Sequence, residues 1–132
     1  MATVTSATNA SYCAVVVDDN RDTAESLARL LTLMGCQPTS VTEPRAVLAE
    51  VARAKPHIVF LDIGMPGIDG YQVASTLRRL HDSDALKLVA VTGYNTQQDR
   101  FRTRKAGFDA HVVKPIDPTI LESILKTLLE SP

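Results

Sequence analysis

The sequence predicts an α/β fold, a parallel sheet with helices packed on both faces, in a single domain. Three observations carry that reading. Apolar, β-branched stretches alternate with segments of helical period, five times over. The strongest stretches are continuous rather than alternating, as strands buried on both faces require. A chain of 132 residues, 45% hydrophobic, also leaves room for only one domain of ordinary size.

The elements follow in order. Residues 1–11 are small and polar and show no sustained period; they read as a flexible leader or linker, with the domain over 12–132. Cys13–Val17 is the first strand, cut off by Asp18-Asp19-Asn20. Leu27, Leu30, Leu31 and Met34 form one helical stripe, stopped by Gly35. A weaker strand spans Gln37–Val41. Thr42 is the expected cap of the second helix, with Pro44 in its first turn, Val47, Leu48 and Val51 as its apolar face and Pro56 as its end.

His57–Leu61 is the second strong strand and ends on Asp62. The loop from Gly64 to Gly70 is dense in turn residues, and Val73, Leu77 and Leu80 line the next helix. Leu86–Val91 leads to Thr92-Gly93. A polar helix from Gln97 to Ala106, with Phe101 and Ala106 as a thin stripe, carries Arg100, Arg102, Arg104 and Lys105 and stops at Gly107. Ala110–Val113 is a short strand ending on Lys114-Pro115. Asp117-Pro118 starts the last helix, whose face is Ile120, Leu121, Ile124, Leu125 and Leu128.

Composition narrows the function. Lys plus Arg is 14 and Asp plus Glu is 15, so the net charge is -1 and gives no general pull towards nucleic acid or anionic membrane. No apolar run approaches the roughly 18 residues of a membrane span, and the first residues lack a secretory signal, so the cytoplasm is the expected compartment. Cys13 and Cys36 are too far apart for a metal motif and are expected as small buried side chains.

Such sheets bind ligands beyond the carboxyl ends of their strands. There the sequence places Asp18 and Asp19, then Asp62, Thr92 and Lys114. One Asp after a strand ordinarily caps a turn; three carboxylates, a hydroxyl and an ammonium at the strand ends of one sheet are not explained that way. Carboxylates about 4 Å apart repel by roughly 4 kcal/mol at an effective dielectric of 20. The cluster either holds a proton or binds a cation. Oxygen donors without His or Cys suit Mg²⁺ rather than zinc. A cation, a lysine and a hydroxyl together would stabilise a transferring phosphoryl group. Asp62, alone on its strand, is the best-placed nucleophile, and Asp18 and Asp19 are better placed to share the cation.

These motifs, Val17-Asp18-Asp19-Asn20, Leu61 through Gly70, Val91-Thr92-Gly93 and Val113-Lys114-Pro115, resemble the set found in two-component response-regulator receiver domains, in the same order and spacing from Tyr12 to Glu130. The resemblance implies a flavodoxin-like fold with strand order 2-1-3-4-5. It implies a phosphoryl-accepting switch in which Asp62 takes a phosphoryl group from a phosphohistidine on a histidine kinase or histidine phosphotransfer protein. Mg²⁺ would be held by Asp18, Asp19, Asp62 and the backbone carbonyl of Gly64. Thr92 and Lys114 would bind the phosphoryl oxygens, and Lys114-Pro115 would be cis.

The fourth helix, fifth strand and fifth helix would meet a downstream protein; nothing resembles a DNA-binding motif. The receiver fills the chain, so its consequence is expected to pass to another protein or to a parent chain. Some motifs are similar to receivers fused to hybrid sensor histidine kinases. His111 stands where the family usually has a Tyr or Phe switch ring. Gly64 and Tyr94 occupy positions that tune dephosphorylation, and Gly64, without a side chain to orient water, implies slow decay. Two other readings stay open: a degenerate receiver that only binds partners, and a Mg²⁺-dependent aspartyl-phosphate phosphatase, against which the motif order and the lack of room for a cap domain speak.

Overall fold

Val15, Val16 and Val17 cannot turn away from water on one side of an extended chain only, and the fold buries all three between two helix layers. The computed structural model describes residues 11–82, 84–93 and 97–130. It places these valines in β1, Tyr12–Val17, followed by α1, Arg21–Leu33, and β2, Cys36–Val41. Then come α2, Val47–Ala54; β3, Ile58–Asp62; α3, Gly70–Leu80; and β4, Lys87–Thr92. The chain closes with α4, Gln97–Ala106; β5, Ala110–Val113; and α5, Pro118–Leu125. All strands are parallel, in the order β2-β1-β3-β4-β5 that the motifs implied. The leader assigned to residues 1–11 lies outside the described residues except for Ser11.

Alternation along the strands divides the core in two. Val15, Val17, Leu61, Leu77 and Leu88 pack on the side of α2 and α3. Val16, Leu27, Leu31, Phe60 and Leu121 pack on the side of α1 and α5. Each such side chain contributes about 1.5–3 kcal/mol by leaving water. Caps fix where the helices begin. Asn20 Oδ1 accepts from the Thr23 N–H, Asp69 from Tyr71 and Gln72, and Asp117 from Thr119. Gly35 and Gly107 take positive φ where α1 and α4 end, a conformation that a Cβ disfavours.

Several expectations are corrected. Glu43, not Thr42, caps the entry to α2, and it caps a short 3-10 turn over Pro44–Ala46. The second helix ends because Lys55 turns left-handed, one residue before Pro56. Leu48, Leu80, Phe101 and Ile120 are exposed rather than lining the core. The inward positions of α3 are Ala74 and Leu77; Leu80, its last residue, has passed the sheet. Among the described side chains of α4 the buried one is Thr103, whose hydroxyl donates to the Arg100 carbonyl and so enters the interior satisfied. Cys36 is buried as expected, but Cys13 is only half-buried. The last helix changes to a wider winding over Lys126–Glu130.

One tie was not foreseen. Arg78 donates to the carbonyls of Leu86 at 2.7 Å and Gly107 at 2.9 Å, and to Asp109 Oδ2 at 2.8 Å. It joins α3 to the entries of both β4 and β5. Replacement of Phe60 by Ala is expected to lower the unfolding free energy by about 3–5 kcal/mol, and of Leu80 by Ala by no more than about 0.5 kcal/mol. Urea unfolding of the two variants checks this assignment of inside and outside.

Candidate functional site

Four of the five strands deliver a polar residue at one end of the sheet. β1 runs into Asp18, β3 ends on Asp62, β4 ends on Thr92 and β5 runs into Lys114. β1 and β3 are neighbours, with Val17 opposite Leu61, so their two carboxylates leave the sheet side by side. Asp18, Asp62 and Thr92 are almost fully withdrawn from water, at 3%, 7% and 4% exposure. Asp19 is exposed. Carboxylate oxygens of Asp18, Asp19 and Asp62 lie within 4.8 Å of one another.

Lys114 closes the cluster. Its main-chain N–H donates to the Thr92 carbonyl at 2.8 Å, which anchors it beside β4. Its Nζ donates to Asp62 Oδ2 at 3.0 Å and Asp18 Oδ2 at 3.1 Å. The other oxygens are held by backbone: Asp62 Oδ1 accepts from the Gly64 N–H at 2.8 Å, and Asp18 Oδ1 from the Asn20 N–H at 3.0 Å. The Lys114-Pro115 peptide is cis, as the motif implied.

The electrostatics follow from burial and crowding. Burial pushes the Asp18 carboxyl above its ordinary value. The Asn20 N–H and Lys114 pull it down without cancelling that effect, and the charge of Asp62 adds to it. Burial alone would lower the Lys114 ammonium, but its hydrogen bonds and charge pairing with Asp62 and Asp18 outweigh this and hold it above its ordinary value. Three carboxylates against one ammonium leave two formal negative charges uncompensated. A hard divalent cation matches that excess and the all-oxygen donor set.

The structure thus brings together Asp18, Asp19, Asp62 and Lys114, and sets Thr92 at the same end of the sheet between Asp62 and Lys114. Gly64 enters through its N–H. His111 lies apart, half-buried in the middle of β5. Tyr94 falls outside the described residues. Sequence reading missed Asn20, which serves the site through its main chain while its side chain caps α1. It also missed Asp69, whose cap fixes α3 after the Gly64 loop; an Asp before the helix was the available signal.

The chain matches the family model for the response regulator receiver domain over residues 14–126. It is 31% identical over 104 residues to a 14.6 kDa protein of Leptolyngbya boryana, covering 79% of each chain. It is 31% identical over 118 residues to hybrid signal transduction histidine kinase L of Dictyostelium discoideum, covering 85% of this chain and 7% of that one. The chain spans about half the length of other curated relatives it matches. Its fold superposes on a response regulator crystal structure from Chloroflexus aurantiacus with a TM-score of 0.83 at 22% identity, covering 92% of this chain and all of that one.

In metal-free buffer, Asp19→Asn relieves like-charge repulsion and is expected to leave stability unchanged or raise it by up to about 1 kcal/mol. Lys114→Met leaves two buried carboxylates unmatched and is expected to cost about 1–3 kcal/mol, the lysine being partly in solvent. Urea unfolding in the presence of a chelator reads both.

Proposed function

The chain belongs to the response regulator receiver domain family of two-component signalling, and from that premise we propose that Asp62 is the phosphoacceptor of a Mg²⁺-dependent phosphorelay. The observation that carries this reading is the arrangement at Asp62. Its carboxylate stands at the end of a buried strand with an ammonium on one oxygen and a backbone N–H on the other. These donors fix its direction towards the open end of the sheet.

The phosphoryl donor is a phosphohistidine on a histidine kinase or histidine phosphotransfer protein. The Asp62 carboxylate forms a new O–P bond while the N–P bond to the donor imidazole breaks, and that nitrogen keeps the electron pair and takes up a proton. Mg²⁺, held by Asp18, Asp19, Asp62 and the Gly64 carbonyl, would offset the negative charge of donor and acceptor. Lys114 and the Thr92 hydroxyl take the phosphoryl oxygens. Lys114 must then leave part of its pairing with Asp18 and Asp62, and that exchange of partners is the local event that biases the domain between two states. His111 would take the part of the family's switch ring, and β5 with α4 and α5 would carry the change to a downstream protein. No helix among the described residues is long and apolar enough to cross a membrane. Relay partners of this kind support the cytoplasm as its compartment. The domain assists its own phosphorylation and hydrolysis and turns over no external substrate.

Incubation with Mg²⁺ and acetyl phosphate is expected to add one phosphoryl group by intact mass, and none when Mg²⁺ is chelated or in Asp62→Asn. Absence of the adduct in the parent would favour a binding-only module, and steady phosphate release from assorted phosphomonoesters would favour a phosphatase. Mg²⁺ at about one hundred times its dissociation constant is expected to stabilise the fold by about 2.7 kcal/mol, and Asp19→Asn to lose most of that gain. After donor removal the adduct is expected to persist for minutes, because Gly64 has no side chain to orient water; decay within seconds contradicts that role for Gly64.

A further inference from the structure

The sheet has two outer strands, and they are guarded differently. β2 carries Pro38 at its centre, in register with Ala14, and a proline offers no N–H for a further strand. β5 holds neither proline nor charge in its Ala-His-Val-Val run. Among the described residues no strand pairs with its outer side, so β5 is an edge strand. A groove of about 450 Å³ is lined by all of β5, by Arg100 and Arg104 of α4 and by Ile120 of α5; its two carboxylates are engaged elsewhere, Asp109 with Arg78 and Asp117 with the Thr119 N–H at the start of α5. Ile120 is 51% exposed, and both arginines are exposed.

The two walls differ in chemistry. Ala110 and Val112 pack towards α5, so strand alternation turns His111 and Val113 to the α4 side. The α4 side is basic: Gln97–Ala106 holds Arg100, Arg102, Arg104 and Lys105 against the single acid Asp99, within a chain of net charge -1. A sixth strand on β5 would likewise send alternate side chains to the two walls, acidic ones to α4 and apolar ones to Ile120.

We propose that the outer edge of β5 receives an extended acidic segment of a protein partner as a sixth strand, its carboxylates against Arg100 and Arg104 and its apolar side chains against Ile120. This rests on the reading of the α4–β5–α5 face as the one that meets a downstream protein and names what that partner presents. A second copy of the chain, joined edge to edge by a two-fold axis, is the competing occupant. It would set two α4 helices side by side on one face, basic surface to basic surface, and their repulsion disfavours it.

The test titrates the ¹⁵N-labelled, unphosphorylated chain at low salt with a capped peptide of about six residues, the length of a short strand, alternating aspartate and valine. Two controls run beside it: the lysine–valine counterpart, and the aspartate–valine peptide N-methylated at alternate amides. Shifts and slowed amide exchange are expected in Ala110–Val113. Each control, and Arg104→Glu, is expected to weaken binding by about tenfold or more. Arg104→Glu is also expected to keep the parent's unfolding midpoint and its phosphoryl adduct at Asp62. Equal binding of the lysine peptide overturns the charge selection, equal binding of the methylated peptide overturns strand pairing, and no binding, or a dimer in sedimentation that protects β5, overturns the proposal. If the peptide binds while the parent gives no phosphoryl adduct, the phosphoacceptor reading fails and strand addition stands.

Discussion

The ammonium of Lys114 between Asp18 and Asp62 is the interaction on which the architecture of the site depends. With β1 beside β3, the carboxylates that follow them cannot avoid each other. Both are withdrawn from water, and both accept from Lys114, which lies 96 residues from one and 52 from the other. Two strand spacings, about 10 Å, separate β5 from β3, so only a long side chain crosses β4 to reach them. One positive charge does not balance the three carboxylates gathered there. The excess makes the site receptive to a cation, and a bound cation would in turn offset the negative charge of an approaching phosphoryl group.

The part of this arrangement legible in the sequence was the part that depends on strand ends. Four apolar runs, each stopping on a polar residue, and one weaker strand give the sheet, and the rule that ligands sit beyond strand ends selects Asp18, Asp62, Thr92 and Lys114. What stayed hidden depends on backbone or on three-dimensional position. The N–H groups of Asn20 and Gly64 hold the two buried carboxylates, yet every residue but proline carries such a group, so no residue type announces them. Arg78 reads as one more surface cation until α3 is laid beside the entries of β4 and β5. Leu80 has core chemistry and lies outside because it is the last residue of α3, and Phe101 lies outside because α4 turns Thr103 inwards and Phe101 to another face.

Charge is distributed by element. Acids close the carboxyl end of the sheet, while α4 carries an excess of basic residues on a helix with little apolar surface. β5 touches both regions: Lys114 follows it into the acidic cluster, and His111 sits midway along it in the groove beside α4. A change of partner at Lys114 therefore acts on the strand that also lines the groove, with only Val112 and Val113 between Lys114 and His111.

Position of the phosphoryl group is the most direct test of the central claim. A phosphohistidine-bearing phosphotransfer protein is mixed with the chain and Mg²⁺, and the product is reduced with borohydride, which converts an acyl-phosphorylated aspartate to homoserine. Peptide sequencing then reads the modified site. The account predicts homoserine at position 62 and nowhere else. Homoserine at position 18 or 19, or none at any position despite an active donor, would contradict it.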